Sequence, residues 1–425
     1  MKEYIAIAIF AITYILIVGR IRFKIPIWAS MLIGASLMLG FQIIGIEDAI
    51  KSIQFDVIMF LFGMFSIVSA LDRSGVLRWI AIKMLSKAKT PNALLMMFVV
   101  GMGLLSAFLV NDAIALMGIP LVIYISKHLG IKPNVFLIAL AFGITIGSVM
   151  TPIGNPQNLL IALQSGIPLP LVNFLKFLAV PTLINLFLTY YILKIYFKKD
   201  LVQSHYSLNS TILKDHVIEN PRLAKISIIV LVITMTDFFV SEVLHFMHLA
   251  EIRISVVAMA GAAILYAVSV ERRDIMKGVD YSVLIFFVAM FVVTAALWSS
   301  GTVSIFMKHL PVPDPKNVFQ SSALISAYSI SFGQILSNVP FVALYNHVMI
   351  DNGFTGAHIV QWMMLAATST IAGNFTILGA ASTIIIIQAT ESRGVKAFTF
   401  LEFLKIGSII TVVNVAIYYL FLVIL

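Results

Sequence analysis

Apolar runs long enough to cross a lipid bilayer follow one another along almost the whole chain, separated by short polar breaks. In the first half they cover about 4–19, 25–45 and 55–71, without the period-two alternation of a strand. A hydrocarbon core about 30 Å thick takes about 20 apolar residues per helix, so each run predicts one crossing. VLRWIAIKMLSKAK (76–89) mixes basic residues into its apolar pattern and predicts an amphipathic helix lying in the interface. Two apolar arms, about 92–109 and 113–126, are joined by the polar pair Asn111-Asp112. A further run, 134–165, is interrupted by TPIGNPQN (151–158), and an unbroken one covers about 171–193. Residues 194–222 are charged and read as a cytoplasmic linker.

After that linker the pattern restarts. GMFSIVSALDRSG (63–75) aligns with AMFVVTAALWSSG (289–301) at a shift of 226 residues. LVNDAIAL, around Asn111, aligns with LSNVPFVA, around Asn338, at 227, and TPIGNPQNLLI (151–161) with TILGAASTIII (376–386) at 225. Three matches at a nearly constant offset indicate an internal duplication. The first repeat is 1–193, with a hairpin at 92–126 and a broken helix at 134–165. The second is 223–425, with a hairpin at about 319–350 and a broken helix at about 357–390. If each hairpin enters the membrane and returns, each half crosses five times and the second half is inverted. With both termini outside, 22 of the 28 Lys and Arg residues then fall on the cytoplasmic side. Hairpin arms that crossed separately would make the halves parallel and the bias far weaker. The expected fold is an all-α polytopic membrane protein of two inverted repeats. It has about 10 transmembrane helices, two re-entrant hairpins and two broken helices, in the cell inner (plasma) membrane.

The interrupted run carries the chemistry. Pro152 and Pro156 cannot sit inside an unbroken helix, and Gly154 opens backbone geometries closed to other residues. Freed amides and carbonyls cannot face lipid, where each costs several kcal/mol, so the break must be packed in protein or line a watery cavity. An isolated proline kink satisfied by neighbouring helices is the plainer reading. It does not account for the density of Thr151, Asn155, Gln157 and Asn158. The second copy keeps Thr376, Gly379, Ser382 and Thr383 at the aligned places and takes its break from Gly373-Asn374. Ser106, Asn111 and Asp112 mark the first hairpin tip, and Ser337, Asn338 and Pro340 the second. In an inverted repeat the two tips meet near the midplane beside the broken helices, the layout of an alternating-access carrier.

Asp112 is the most consequential residue, because a carboxylate at that depth points to a proton, a cation or a buried partner. Its alternative role is to cap the returning arm. Asp237 has no repeat partner and reads as a structural pair or scaffold contact. Asp56 and Asp280 stand near span starts and read as interfacial, and His347 as structural.

Composition narrows the class further. The chain is 60% hydrophobic and 11% charged, too few charges to cover a water-soluble surface. The net charge of +9 needs no nucleic acid, since cytoplasmic-side bias accounts for it. The absence of cysteine excludes disulfides, thiolate metal sites and cysteine nucleophiles. Neither HExxH nor GxGD occurs, which disfavours a membrane enzyme, and without a P-loop any ATP drive would need a separate ATPase subunit. No small-residue cleavage site follows MKEYIAIAIFAITYILIVGR, so no cleavable leader is expected. No cofactor is expected beyond Na+ or H+ as coupling ion.

TPIGNPQN after a VNDAIAL tip, with LSNVP and GNFTILGAAS in the second half, resembles the ion transporter superfamily. Within it the likeness is greatest to arsenite (ArsB-type) and NhaD-type permeases, with sodium–dicarboxylate symporters and citrate carriers further off. The resemblance covers nearly the whole chain. It implies a homodimer in which a transport domain, holding both hairpins and both broken helices, moves like an elevator against a scaffold. In the sodium-coupled members each tip carries Ser-Asn-Thr. Carried over, this implies Ser106, Asn111 and Asn338 as Na+ ligands, with Ser337 as the second-half serine. Neither tip keeps the threonine, and in the first tip Asp112 stands in its place. An ionised Asp112 would repel a dicarboxylate by several kcal/mol at an effective dielectric of about 20 and would favour a cation, a proton or a neutral hydroxide such as arsenous acid. The implied function is secondary active transport of a small inorganic or organic ion, coupled to protons or sodium. The alternatives are Na+/H+ antiport and dicarboxylate or sulfate symport.

Overall fold

The computed structural model describes residues 2–19, 23–85, 87–202, 218–250, 252–303 and 310–425. Among them every regular element is helical. In the first half, α1 is Lys2–Val18, α2 Ile27–Gly40 and α3 Phe55–Arg73. The arms of the first hairpin are α4, Pro91–Phe108, and α5, Asn111–Leu129. The broken helix is α6, Pro133–Gly147, followed by α7, Pro156–Gln164, and α8 is Pro170–Tyr196. The second half repeats this order: α9 Pro221–Phe246, α10 Ile254–Val268, α11 Tyr281–Ser299, α12 Val318–Leu336, α13 Asn338–Asp351, α14 Ile359–Ile371, α15 Ala381–Glu391 and α16 Phe400–Tyr419. Seven of the described helices are long and apolar enough to span a bilayer unaided. The other crossings use shorter or broken helices, and the protein is a multi-pass membrane protein.

Local chemistry fixes many of the boundaries. Proline opens α4, α6, α7, α8 and α9, where its missing amide would have had no partner in any case. Thr90 caps α4, accepting from the Ala93 amide at 3.1 Å, and Asn220 caps α9, accepting from the Leu223 amide at 3.0 Å. The basic segment after α3 forms the helix Val76–Leu85, in line with the expected interfacial element. The charged linker is shorter than the sequence pattern indicates, because Lys194 belongs to the last turn of α8 and α9 already begins at Pro221.

The helices pack as two groups. α1–α3 pack with α9–α11, and α4–α8 with α12–α16. Contacts between repeats are reciprocal: α3 lies on α10 while α11 lies on α2, and α5 lies on α15 while α13 lies on α7. α8 and α16, which are equivalent, cross each other. Reciprocal pairing of this kind is the signature of a two-fold relation.

The first hairpin turns back at the level of the break between α6 and α7. Its tip meets the interruption of the broken helix and not its far end, with Ser106 Oγ donating to the Ile144 carbonyl at 2.7 Å and the Asn111 amide to the Gly154 carbonyl at 3.1 Å. The nine residues of α7 continue beyond the tip, a length of about 13 Å at 1.5 Å per residue. Close approach of α4 to α6 requires glycine: a Cβ on Gly147 would lie 1.9 Å from the Gly103 carbonyl oxygen.

Of the two roles expected for Asp237, the structural ion pair does not form. The residue is exposed on α9, without an ion-pair partner among the described residues. His347 rests against Trp298, ring centroids 5.4 Å apart, as a structural histidine would. Asp56 pairs with Arg253 at 2.7 Å.

Candidate functional site

The first break is held together by its own side chains. Asn155 caps α7, its Oδ1 accepting from the Asn158 amide at 2.9 Å, and its Nδ2 donates to the Ser148 carbonyl at 3.1 Å and hydroxyl at 3.0 Å. Asn158 Nδ2 lies 3.3, 3.3 and 3.4 Å from the carbonyls of Ser148, Val149 and Thr151. These carbonyls lost their helical partners when α6 ended, and one amide group replaces those partners. Thr151 Oγ1 accepts from the Gly154 amide at 3.1 Å and donates to the Ala107 carbonyl, which pins the break to the hairpin. Gly154 has no room for a side chain, since a Cβ would stand 2.5 Å from the Ser148 carbonyl oxygen. Thr370 of α14 joins the halves, its hydroxyl within 3.3 Å of Asn155 Nδ2, Gln157 Nε2 and Asn158 Oδ1.

The second break repeats the backbone geometry with different side chains. The Asn338 amide donates to the Gly379 carbonyl at 3.3 Å, as Asn111 does to Gly154. Ala380 and Thr383 stand where the first half has Asn155 and Asn158. A hairpin residue, Gln334, supplies the missing bonds: Nε2 donates to the Ala372 carbonyl at 2.7 Å, and Oε1 accepts from Thr376 Oγ1 at 2.8 Å. Ser337 turns the tip with φ +65°, a left-handed value that a serine adopts only under constraint. Six buried polar side-chain atoms around the two tips and the second break have no hydrogen-bond partner among the described residues. They are Asn111 Oδ1, Asn338 Oδ1, Asn374 Nδ2 and Oδ1, Ser382 Oγ and Thr383 Oγ1. Each such atom costs about 1–3 kcal/mol unless something else satisfies it.

Between the tips, the breaks and the first helical group lies a cavity of about 320 Å³. Asn111, Asp112, Ser337 and Asn338 reach it from the hairpins, and Pro156, Gln157, Ala381 and Ser382 from the starts of α7 and α15. Its other wall is Ile27, Trp28 and Met31 of α2 with Ser282, Phe286 and Phe287 of α11, and Asp280. Among the described residues, Asp112 and Asp280 are its only charged lining residues.

The sequence-predicted residues divide accordingly. Asn111, Asp112, Ser337, Asn338 and Ser382 line the cavity. Ser106, Thr151, Gly154, Asn155, Asn158, Asn374, Thr376, Gly379 and Thr383 stand behind it and shape the breaks. Asp112 does not cap the returning arm: Val110 is the N-cap residue of α5 and no side chain caps it. Asp280, expected at the interface, lines the cavity instead, and Gln157, Thr145, Ser282 and Gln388 join it. No trio of His, Asp or Glu gathers into a metal centre among the described residues.

The chain is similar to known transporters over nearly its whole length. An uncharacterised transporter of Mycobacterium tuberculosis is 28% identical, covering 96% of each chain. A putative arsB transporter of Dictyostelium discoideum is 23% identical over 96% of this chain and 90% of its own. The silicon efflux transporter LSI3 of rice is 25% identical over 92% and 90%. The family model that matches is that of citrate transporters, which the motif resemblance sets further off than the arsenite-type permeases. That match covers residues 14–367, and the chain belongs to the citrate transporter family, as a transporter and not an enzyme.

Proposed function

We propose that the chain is a secondary active carrier of a small inorganic or organic solute, driven by a proton or sodium gradient. The observation that carries the reading is the cavity at the seam of two helical groups, with both hairpin tips and both broken helices converging on it. Movement of α4–α8 and α12–α16 against α1–α3 and α9–α11 would carry that cavity across the membrane as an elevator. The two repeat-related carbonyl oxygens, Asn111 Oδ1 and Asn338 Oδ1, are buried and unpartnered, which suits a coupling Na+ held with Ser106 and the adjoining backbone. Ser337 and Ser382 offer hydroxyl groups to the solute, with Asn374, Thr376, Gly379 and Thr383 behind them. The N-terminal ends of α2 and α11 border the cavity. The charge bias puts these ends in the cytoplasm, so with both termini outside the carrier is open inward. The inner (plasma) membrane and a homodimer remain part of the proposal.

The solute is constrained by charge. With two carboxylates and no basic residue among the described lining residues, free citrate would meet repulsion there. A neutral hydroxide such as arsenous acid, or an anion entering with its cation, fits better. The names of the rice and Dictyostelium relatives favour the former and the family name the latter. The same lining favours a second reading, Na+/H+ antiport with no organic cargo. Uptake into proteoliposomes of citrate, arsenite, sulfate and sodium, under imposed proton or sodium gradients, tests the proposal. Flux of at least one solute under one gradient is expected, and Asp112→Asn abolishes or uncouples it while the protein still folds. Wild-type coupled flux in Asp112→Asn removes that carboxylate from the mechanism. Unchanged affinity in both Asn111→Ala and Asn338→Ala removes the tips from the site.

A further inference from the structure

The two ends of the α1–α3 and α9–α11 group are not alike. Where α3 meets α10, the Asp56 carboxylate is closed off by Arg253 Nη1 at 2.7 Å and by the Ser255 hydroxyl. The repeat-related seam joins α11 to α2. There Ser282 takes the place of Asp56 and Pro26 the place of Arg253, and the carboxylate sits two residues earlier, at Asp280. Asp280 Oδ1 caps α11, accepting from the amides of Ser282 at 3.0 Å and Val283 at 3.4 Å. No cation pairs with it among the described residues.

Pro26, Asp280 and Ser282 all line the cavity. Asp112, in the first turn of α5, lines it too, so the two carboxylates face one cavity of about 320 Å³. Beside Asp112 is Asn111, only 7% exposed, whose Oδ1 has no hydrogen-bond partner. Two carboxylates in a partly desolvated space, with neither Lys, Arg nor His among the described lining residues, call for a counter-charge. The donors present are all oxygens, which select a hard cation.

Resting on the carrier reading above, we propose that Asp280 and Asp112, with the Asn111 side-chain oxygen, seat a hard cation across the seam between the two helical groups. Asp280 belongs to the fixed group and Asp112 to the moving one. The site is complete only while the cavity faces the α2 and α11 N-termini, so the cation holds the carrier in this state and leaves when α5 moves away. Arg253 occupies the equivalent position at the other seam, and no such seat forms there.

Thermal unfolding of the purified full chain in detergent, titrated separately with NaCl, MgCl2 and CaCl2 against choline chloride at constant ionic strength, tests the site. At least one of the three is expected to raise the midpoint of the wild type above its value in choline. The apparent affinity for that ion is expected to fall tenfold or more in Asp280→Asn. Pro26→Arg, which supplies the arginine of the closed seam, is expected to do the same without removing a carboxylate. Asp56→Asn lowers the midpoint itself and keeps the ion response. A wild type that responds to all three salts as to choline overturns the proposal, and so does wild-type ion affinity in both Asp280→Asn and Pro26→Arg. Proteoliposome flux separates the two readings. Absent flux with an intact, Asp280-dependent ion response removes the carrier and leaves the site. Intact flux with an ion response indifferent to Asp280 removes the site and leaves the carrier.

Discussion

Thr151–Asn158 and Thr376–Thr383 interrupt equivalent helices in the two halves, yet they are held by different means. In the first, Asn155 and Asn158 satisfy the freed carbonyls from within the break. In the second, alanine and threonine replace those asparagines, Gln334 reaches in from the hairpin, and the Asn374, Ser382 and Thr383 polar atoms are left over. The freed carbonyls of the same backbone interruption are therefore satisfied by the break's own side chains in one repeat and by a hairpin side chain in the other. Spare polar groups in a buried site are costly to stability and useful to a solute. The first break reads as the rigid wall of the site and the second as its adaptable one.

The largest effect expected from this comparison is at the glycines. Gly154→Ala drives a Cβ to within 2.5 Å of the Ser148 carbonyl oxygen and 2.7 Å of its Cα, both backbone atoms that cannot step aside. Destabilisation of about 3 kcal/mol is expected in chemical unfolding in detergent. At Gly379 a Cβ stands 2.8 Å from the Ala372 carbonyl oxygen, 3.0 Å from Gly373 Cα and 3.1 Å from movable Gln334 Oε1, and about 1–2 kcal/mol is expected. Equal losses at the two positions would show that the second break is as rigid as the first.

Between the two glycines in size is Asn158→Ala, which strips the Val149 and Thr151 carbonyls of this donor, leaves the Ser148 carbonyl to Asn155 Nδ2, and should cost about 2–3 kcal/mol. Gln334→Ala should cost less, about 1–2 kcal/mol, because it withdraws the bonds that hold Ala372 and Thr376. The smallest change in stability is expected for Thr383→Val, which keeps the side-chain shape and removes an unpartnered hydroxyl, within about 0.5 kcal/mol of wild type. Solute affinity in transport assays should fall in Ser382→Ala, which takes the other unpartnered hydroxyl of this break out of the cavity lining. A large loss of stability in Thr383→Val with unchanged affinity in Ser382→Ala would reverse the roles assigned to the two breaks.

Much of this was legible along the chain. The second hairpin and broken helix, expected at about 319–350 and 357–390, run Val318–Asp351 and Ile359–Glu391, because proline, glycine and asparagine punctuate long apolar runs clearly. The polarity of TPIGNPQN marked the right place but not the division of labour. A sequence shows that Asn155 and Asn158 are polar at depth, and it cannot show that their hydrogen-bonding capacity is spent on the break itself. Asp280 was hidden for a related reason. As a helix-capping aspartate at the start of a span it resembles any interfacial cap, and only the approach of the hairpin tips, from distant parts of the chain, turns its surroundings into a cavity.

Hydrophobic periodicity and a duplicated pattern were enough by themselves to determine a helical membrane protein of two matched halves, since lipid leaves an apolar chain few ways to satisfy its backbone. They also determined where each half is broken, because proline and glycine act locally. Tertiary structure alone decided which polar side chains are consumed as internal donors and which carboxylates share one cavity. Those outcomes depend on distances between helices far apart in sequence, and a partner at 3 Å either exists or does not once the repeats have packed together.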